Sequence, residues 1–366
     1  MKKQGFKGVK TEFAPVLLKW HREENTRQMP WKGEKDPYKI WLSEIILQQT
    51  RVEQGTDYYH KFVDNFPNIG LLAAAPDAKV FKLWEGLGYY SRCRNLLFTA
   101  RHIVSERKGI FPSEHADIKS LKGIGPYTAA AIASFAFNQP HAVVDGNVYR
   151  VLARIFGIDT PIDSTAGKRY FKELADELLD KNEPAAYNQA IMDFGAVVCK
   201  PVSPLCHTCI FQKTCSAFLS GRVNELPVKE KKTSVRKRWF YYFVIQSENK
   251  TVIQQRTGKD IWSQLYEFPL VETSGETDIK EIIKEAIRTG ILPARYELKS
   301  ISPLIRQTLS HQLIAGRFVL IQHSGTPDKN LHWVAPGEMK EYAFPKIINE
   351  YLATEYSAGM RSQELF

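Results

Sequence analysis

Cysteine is scarce in this sequence, five residues in 366, too few over such a length for a disulfide framework. Long apolar runs are missing too. No stretch approaches a transmembrane span, and Met1 to Lys10 is basic without the apolar segment of a secretion signal. Internal repeats and low-complexity tracts are likewise absent. The lack of a targeting extension points to a bacterial cytoplasmic protein. Acidic residues are outnumbered, 40 Asp and Glu against 50 Lys and Arg, for a net charge of +10. That balance favours a polyanionic partner, and nucleic acid is the commonest of these.

The chain is long enough for two domains, and 43% hydrophobic with 25% charged residues suits a soluble globular protein. From about Thr11 to Ser220, apolar residues recur at helical spacing, with helices expected over Trp41–Gln48, Thr128–Phe137, Val148–Phe156, Gly167–Asp180 and Ala185–Val198. Lys and Arg then dominate without apolar periodicity, as in a linker. This basic stretch is either a solvated tether or a contact for a phosphate backbone. Beyond it the pattern turns to strands, Trp239–Ile245 and Thr251–Gln255 flanking a Ser-Glu-Asn-Lys turn. Helices are expected over Asp278–Ile287 and Lys346–Tyr356, with a strand at Phe318–Gln322. The expected organisation is a helical domain over 1–221, a basic linker over 222–237 and a smaller α+β domain over 238–366.

Three constellations carry chemistry. In Leu121-Lys122-Gly123-Ile124-Gly125-Pro126-Tyr127-Thr128, two glycines let the backbone turn tightly just before an Ala-rich helix. Bare amides and a helix N-terminus both favour a phosphate there, so the segment reads as a helix-hairpin-helix gripping DNA. Cys199, Cys206, Cys209 and Cys215 lie close enough to enclose one metal centre, and their chemistry admits either zinc or a four-iron cluster. Cys93, standing apart, reads as a small buried hydrophobe, and His102 and His207 read as ordinary polar residues. Glu44 shares a helical face with Trp41, Leu47 and Gln48. Apolar neighbours would disfavour its charged form and suit it to general acid work; a salt-bridged or solvent-facing Glu is the plainer reading. Asp145, in Val143-Val144-Asp145-Gly146-Asn147-Val148, precedes a helix, where a simple N-cap is the plainer reading.

Taken with Leu47-Gln48-Gln49-Thr50-Arg51-Val52 and Gly86-Leu87-Gly88-Tyr89-Tyr90-Ser91-Arg92, these segments resemble the helix-hairpin-helix DNA glycosylases with an iron–sulfur cluster, specifically the MutY-type adenine DNA glycosylases. The resemblance covers nearly the whole chain. It implies a mainly α helix-hairpin-helix glycosylase domain with a [4Fe–4S] cluster on the four cysteines, followed by an α+β Nudix-like domain. It further implies a monomer that acts on double-stranded DNA, flips adenine opposite 8-oxoguanine or guanine from the stack, and cuts its N-glycosidic bond.

By the same resemblance, Glu44 protonates adenine N7, Asp145 stabilises the oxocarbenium or covalent intermediate, and Tyr127 and Asn147 hold the site in shape. Gln49 and Tyr89 match residues that enter the base stack. Thr50 and Leu87 match residues near the opposite base, and Lys122, Gly123 and Gly125 match the DNA-gripping hairpin. Arg27 falls in a pocket-forming stretch, where Lys32 and Gln189 replace the familiar arginine and glutamate. Relatives that also cut the strand carry a Schiff-base lysine where this chain has Tyr127, which implies base release without lyase activity. Ser310 and His311 align with a lesion-reading loop, although Leu309 departs from its phenylalanine. The Nudix-like half lacks an intact glutamate box for metal. Alternative readings are a bifunctional pyrimidine-lesion glycosylase/lyase and a non-catalytic iron–sulfur DNA-binding protein.

Overall fold

In the computed structural model, which describes residues 2–230, 235–292, 295–323 and 330–356, the apolar periodicity gives a run of helices as far as Leu219. They are α1 (Lys2–Glu23), α2 (Pro37–Leu47), α3 (Val52–Asn65), α4 (Ile69–Ala74), α5 (Asp77–Trp84) and α6 (Ser91–Arg107). After them come α7 (His115–Ser120), α8 (Pro126–Phe137), α9 (Gly146–Phe156), α10 (Thr165–Leu178), α11 (Pro184–Val197) and α12 (Ser216–Leu219). Local chemistry sets the boundaries. Pro37, Pro126 and Pro184 open their helices where a missing N–H costs nothing. Asp36, Asp145 and Ser164 cap α2, α9 and α10 with side-chain oxygens. Asn138 and Gly157 end α8 and α9 in the left-handed conformation.

The chain folds as two units, one of Met1–Ala74 with Arg94–Lys232, and another of Ala75–Cys93 with Thr233–Phe366. The core of the first unit gathers Phe13 and Leu17 of α1, Val151 and Leu152 of α9, Phe171 of α10 and Phe194 of α11. Each such side chain, fully buried, contributes about 1.5–3 kcal/mol. Ala129, Ala130, Ala131 and Ala133 of α8 are buried, small enough to let neighbouring helices approach. The charged stretch after α12 is not free over its first part. Leu226 is buried and its carbonyl accepts from Arg154, while Val228 accepts from the Ile162 amide and the Glu230 amide donates to Asp163. Leu226, with Val223 and Val228 packed against the same core, and these hydrogen bonds thus tie the segment to the helical unit. Residues 231–234 of the expected linker lie outside the described residues.

The second unit is built on a sheet. Its strands are β1 (Arg236–Ser247), β2 (Lys250–Gln255), β3 (Tyr266–Glu267), β4 (Leu270–Thr273), β5 (Tyr296–Ile301), β6 (Ile305–Thr308), β7 (Gln312–His323) and β8 (His332–Val334). The main order is β3-β2-β1-β7-β5, with β1 and β7 parallel at the centre. Glu248 and Asn249 both take positive φ in the β1–β2 turn, the geometry of a tight hairpin. Helices α13 (Ile279–Arg288) and α14 (Lys346–Tyr351) complete the unit. Tyr241, Phe243 and Ile245 pack with Ile282 and Ile283 of α13. On the alternate residues, Tyr242 stacks on Phe318, and Phe318 on Tyr351 of α14 at 4.0 Å. Both faces of β1 are therefore covered, which explains why its sequence is continuously apolar.

Candidate active site

A cavity of about 480 Å³ opens in the helical unit, and the two carboxylates singled out in the sequence both line it. Glu44 comes from α2, Tyr127 from the first turn of α8, and Asp145 and Asn147 from the start of α9. Three helix segments distant in sequence converge there. Gly195 of α11 is needed for this approach, since a Cβ at that position would lie 2.6 Å from Asn147 Cβ.

The two acids sit in different surroundings. Glu44 is only 8% exposed, and burial pushes its carboxyl up to about 7, with the nearby Asp145 adding to the rise and a hydrogen bond from Tyr127 opposing it. Asp145 is also raised by burial, but its oxygens accept from the Val148 amide and Asn147 Nδ2, each at 2.8 Å. Those donors, and the N-terminus of α9, favour its anionic form. Asp145 is thus a helix cap and a cavity residue at once. The Tyr127 phenol is held well above its ordinary range by burial and the two acids, so it stays protonated; its hydroxyl also lies 3.4 Å from Met192 Sδ. A carboxyl raised to about 7 facing a second carboxyl held by hydrogen-bond donors is an arrangement for acid-assisted cleavage of a bond between them.

Arg27, Lys32, Gln189 and Thr50 line the same cavity. Three of them converge on Asp193, which is fully buried. Its carboxylate accepts from Arg27 Nη1 at 2.8 Å, Gln189 Nε2 at 2.9 Å and Asn25 Nδ2 at 2.8 Å, and pairs with Lys32 at 3.3 Å. Sequence reasoning missed Asp193. The available signal was its position four residues after Gln189 on one helix face. It also missed Arg150, which donates to Asn147 Oδ1 at 2.7 Å and to the carbonyls of Gly195 and Cys199.

The hairpin between α7 and α8 is as tight as its glycines require. Gly123 has φ +83, and a Cβ there would meet Asn95 Cβ at 2.7 Å, so both conformation and space demand glycine. Thr99 donates to the Lys122 carbonyl at 2.8 Å, and Gly125 occupies the cap position of α8. Gln49, just after α2, and Tyr89, just before α6, hold positive φ of 56° and 46°. Left-handed backbone is uncommon for residues other than glycine.

Cys199, Cys206, Cys209 and Cys215 line one small pocket between α9, the end of α11 and α12. All four are free thiols, and Cys93 is fully buried elsewhere. Burial raises the thiols of Cys206 and Cys215, and pushes that of Cys209 up to about 12. Thiolates gathered there therefore require positive charge to balance them. The Phe211 amide donates to Cys209 Sγ at 3.4 Å, and Arg154 Nη1 lies 3.5 Å from Cys199 Sγ. N–H donors around thiolate sulfur suit an iron–sulfur cluster. Among the described residues, no three His, Cys, Asp or Glu side chains are grouped to hold a single metal ion. Four thiols with N–H donors about them have the chemistry of a thiolate-held metal centre, zinc or iron–sulfur alike.

In the sheet-containing unit, Leu87 is buried and Tyr89 is 38% exposed, its hydroxyl hydrogen-bonded to Ser310 Oγ. Ser310 and His311 are exposed at the tip between β6 and β7. The Leu309 amide closes that turn on the Gln312 carbonyl at 2.7 Å, and the His311 carbonyl accepts from the Arg236 amide. On α13, Glu281 and Glu285 pair with Lys284 and Arg288 on the solvent side. No helix among the described residues is long and apolar enough to cross a membrane.

Residues 42–179 match the HhH-GPD superfamily of base excision DNA repair proteins, and residues 241–354 match the NUDIX domain. A thermostable thymine-DNA glycosylase aligns over all of its chain (100%) and 59% of this one, with TM-score 0.55 and 28% identity. An endonuclease III, solved in a non-covalent complex with DNA, shares the fold at TM-score 0.50 and 18% identity, over 60% of this chain and 98% of that one. The helical unit is that of a helix-hairpin-helix base excision repair protein.

The adenine DNA glycosylase of Buchnera aphidicola subsp. Baizongia pistaciae is 36% identical over 262 residues, 70% of this chain and 73% of that protein. The mouse adenine DNA glycosylase is 41% identical over 229 residues, 59% of this chain and 44% of that protein. This chain belongs to the adenine DNA glycosylase family.

Proposed function

We propose that the protein excises adenine from duplex DNA by hydrolysing its N-glycosidic bond. The observation that carries this reading is the pair of carboxyls in one cavity, with Glu44 raised to about 7 and Asp145 accepting hydrogen bonds from Asn147 and the Val148 amide. The flipped base enters the cavity beside Arg27 and Gln189, with Thr50 at its lining on the side of the opposite base. Glu44 donates its proton to adenine N7, which makes the base a neutral leaving group, while Asp145 stabilises the positive sugar by charge or by a transient covalent bond. Glu44, now ionised, then helps to deprotonate the incoming water. Asn147 fixes the Asp145 carboxylate, and the Tyr127 hydroxyl supports the Glu44 side chain. A phenol cannot form a Schiff base with the sugar, so no strand cleavage accompanies base release.

Cys199, Cys206, Cys209 and Cys215 hold a [4Fe–4S] cluster in this reading. When bound, the cluster supplies a cross-link between the end of α11 and α12, and a centre able to exchange an electron. Lys122, Gly123 and Gly125 hold a backbone phosphate, while Gln49 and Tyr89 enter the base stack and Leu87 lies near the opposite base. Of the expected domain limits, 1–221, 222–237 and 238–366, we move the linker's two ends: residues 222–230 join the catalytic domain to which they are tied, and the Nudix-like domain begins with β1 at Arg236. The protein acts as a monomer, and the bacterial relatives support a bacterial cytoplasmic setting.

Ser310 and His311 read the opposite base. Only 8-oxoguanine carries a hydrogen on N7, and Ser310 offers an oxygen to accept it. The Tyr89–Ser310 hydrogen bond supports this assignment, because it brings a stacking residue and the reading residue together. Replacing Ser310 and His311 by alanine should lower the preference for adenine opposite 8-oxoguanine over adenine opposite guanine by about tenfold, the effect of one lost hydrogen bond of about 1.4 kcal/mol. Competition between the two duplexes measures it, and unchanged discrimination would place the reading elsewhere.

The reaction itself is tested by single-turnover assay on a duplex with one adenine opposite 8-oxoguanine, developed with and without alkali. Strand breakage only after alkali is the expected result. Breakage without alkali would indicate a lyase, and no release from a preparation that binds the duplex would leave Glu44 and Asp145 without their roles.

A further inference from the structure

One aromatic side chain beside the hairpin has no part in the chemistry above. Phe98 lies on α6 and is 52% exposed, so its ring is accessible beside the hairpin. Lys122 Nζ lies 4.2 Å from the centre of that ring, within the range where the electron-rich face attracts an ammonium. On the next helical turn the His102 ring runs nearly parallel to Phe98 at 6.4 Å. The surrounding residues share the orientation. Asn95 packs beneath Gly123, and Thr99 holds the Lys122 carbonyl. Positions 95, 98, 99 and 102 follow the spacing of one helix face, and three of them grip the same two hairpin residues.

We infer that Phe98 is a positioning residue for DNA binding, holding the Lys122 ammonium beside the hairpin turn for a backbone phosphate. The inference rests on the assignment of that hairpin to DNA. A lysine has a flexible four-carbon stem, and fixing it in advance removes part of the ordering cost of binding. The ring acts on the cation, and the cation acts on the phosphate. The contribution is therefore independent of base sequence and separate from catalysis.

The test uses the full-length protein with its cluster and a fluorescent duplex, titrated over a range of salt concentrations. Phe98→Leu keeps the apolar bulk and removes the ring. It should weaken binding roughly two- to five-fold on lesion and non-lesion duplexes alike, whereas Phe98→Tyr and Phe98→Trp should restore wild-type affinity. Lys122→Ala should reduce the slope of log K against log salt by about one. Adding Phe98→Leu to Lys122→Ala should then change nothing further, because the ring has lost its partner. Single-turnover excision at saturating enzyme should match wild type in Phe98→Leu. Wild-type affinity in Phe98→Leu, or a Phe98→Leu effect that survives in the Lys122→Ala background, would overturn the inference while leaving the glycosylase reading intact. Failure of the wild-type protein to bind any duplex would overturn both.

Discussion

Glu44→Gln should lower the single-turnover rate of adenine release by about 10²–10⁴-fold, the usual contribution of a general acid, while DNA affinity stays within about twofold of wild type. Glutamine fills the same space but has no proton to give. In the wild-type protein the acid form of Glu44 is half populated near pH 7. Adenine release should therefore fall as pH rises through that value, and fall again at acid pH where Asp145 takes up a proton. Wild-type turnover in Glu44→Gln, or a rate that climbs through pH 7, would remove Glu44 from the reaction.

The same carboxyl makes a prediction about folding. Its value in the folded protein is raised from 4.5 to about 7, so the unfolded chain ionises it more easily. The stability associated with the neutral form is fully present below about pH 4.5 and is lost as pH rises through about 7. Near pH 8 the ionised group then costs up to about 3 kcal/mol, and Glu44→Gln relieves it. Urea denaturation should find the variant more stable than wild type at pH 8 and equal to it at pH 4.5. Equal stability at both pH values would show that Glu44 is not buried as described. Catalysis and stability pull in opposite directions at this residue, as expected of a functional site.

Cys209→Ala should have the largest structural effect. The four cysteines follow α11 and precede α12, and the backbone between them has only one short helical turn, at Cys206–Thr208. Phe211 anchors the segment between Phe13 and Phe194, and turns held by local hydrogen bonds fix the rest. A cross-link through the four sulfurs therefore adds to a loop that has little regular structure of its own. Removing one sulfur should reduce the iron content from about four atoms per chain to near zero. It should also lower the melting temperature by roughly 10 °C or more, since metal binding free energy is folding free energy. Arg150 and Arg154 of α9 donate to the carbonyls of Cys199 and Lys200, so loosening would begin next to the helix that carries Asp145. Full iron content in Cys209→Ala would exclude this cysteine as a ligand, and an iron-free wild-type protein would exclude the cluster.

Much of the fold was legible because its signals are local. Asp145 caps a helix, Gly123 permits a turn, and the apolar run Trp239–Ile245 announces a strand. Each depends on residues within a few positions along the chain. The pairing of β1 with β7 was not legible, since more than sixty residues separate them and parallel pairing leaves no turn signature. The tethering of residues 222–230 was hidden too. Val223, Leu226 and Val228 are scattered in a polar stretch without helical or strand periodicity, and only their packing shows that they are anchors.

The candidate site divides in the same way. The amino-acid sequence determined the chemical kinds present: two carboxyls, a tyrosine in place of a lysine, four clustered thiols and a glycine-bounded turn. It could not fix the protonation of Glu44, because an isolated Glu in a helix is more often solvated or paired. Packing of α2 against α8, with Asp145 brought in from α9, excludes water from that carboxyl and places a second negative charge near it. Asp193 shows the same limit, since a carboxylate in a helix becomes a hub only when Asn25, Arg27 and Lys32 arrive from another part of the chain. Residue type is written in the sequence, whereas desolvation and long-range charge depend on distances that only the tertiary structure sets.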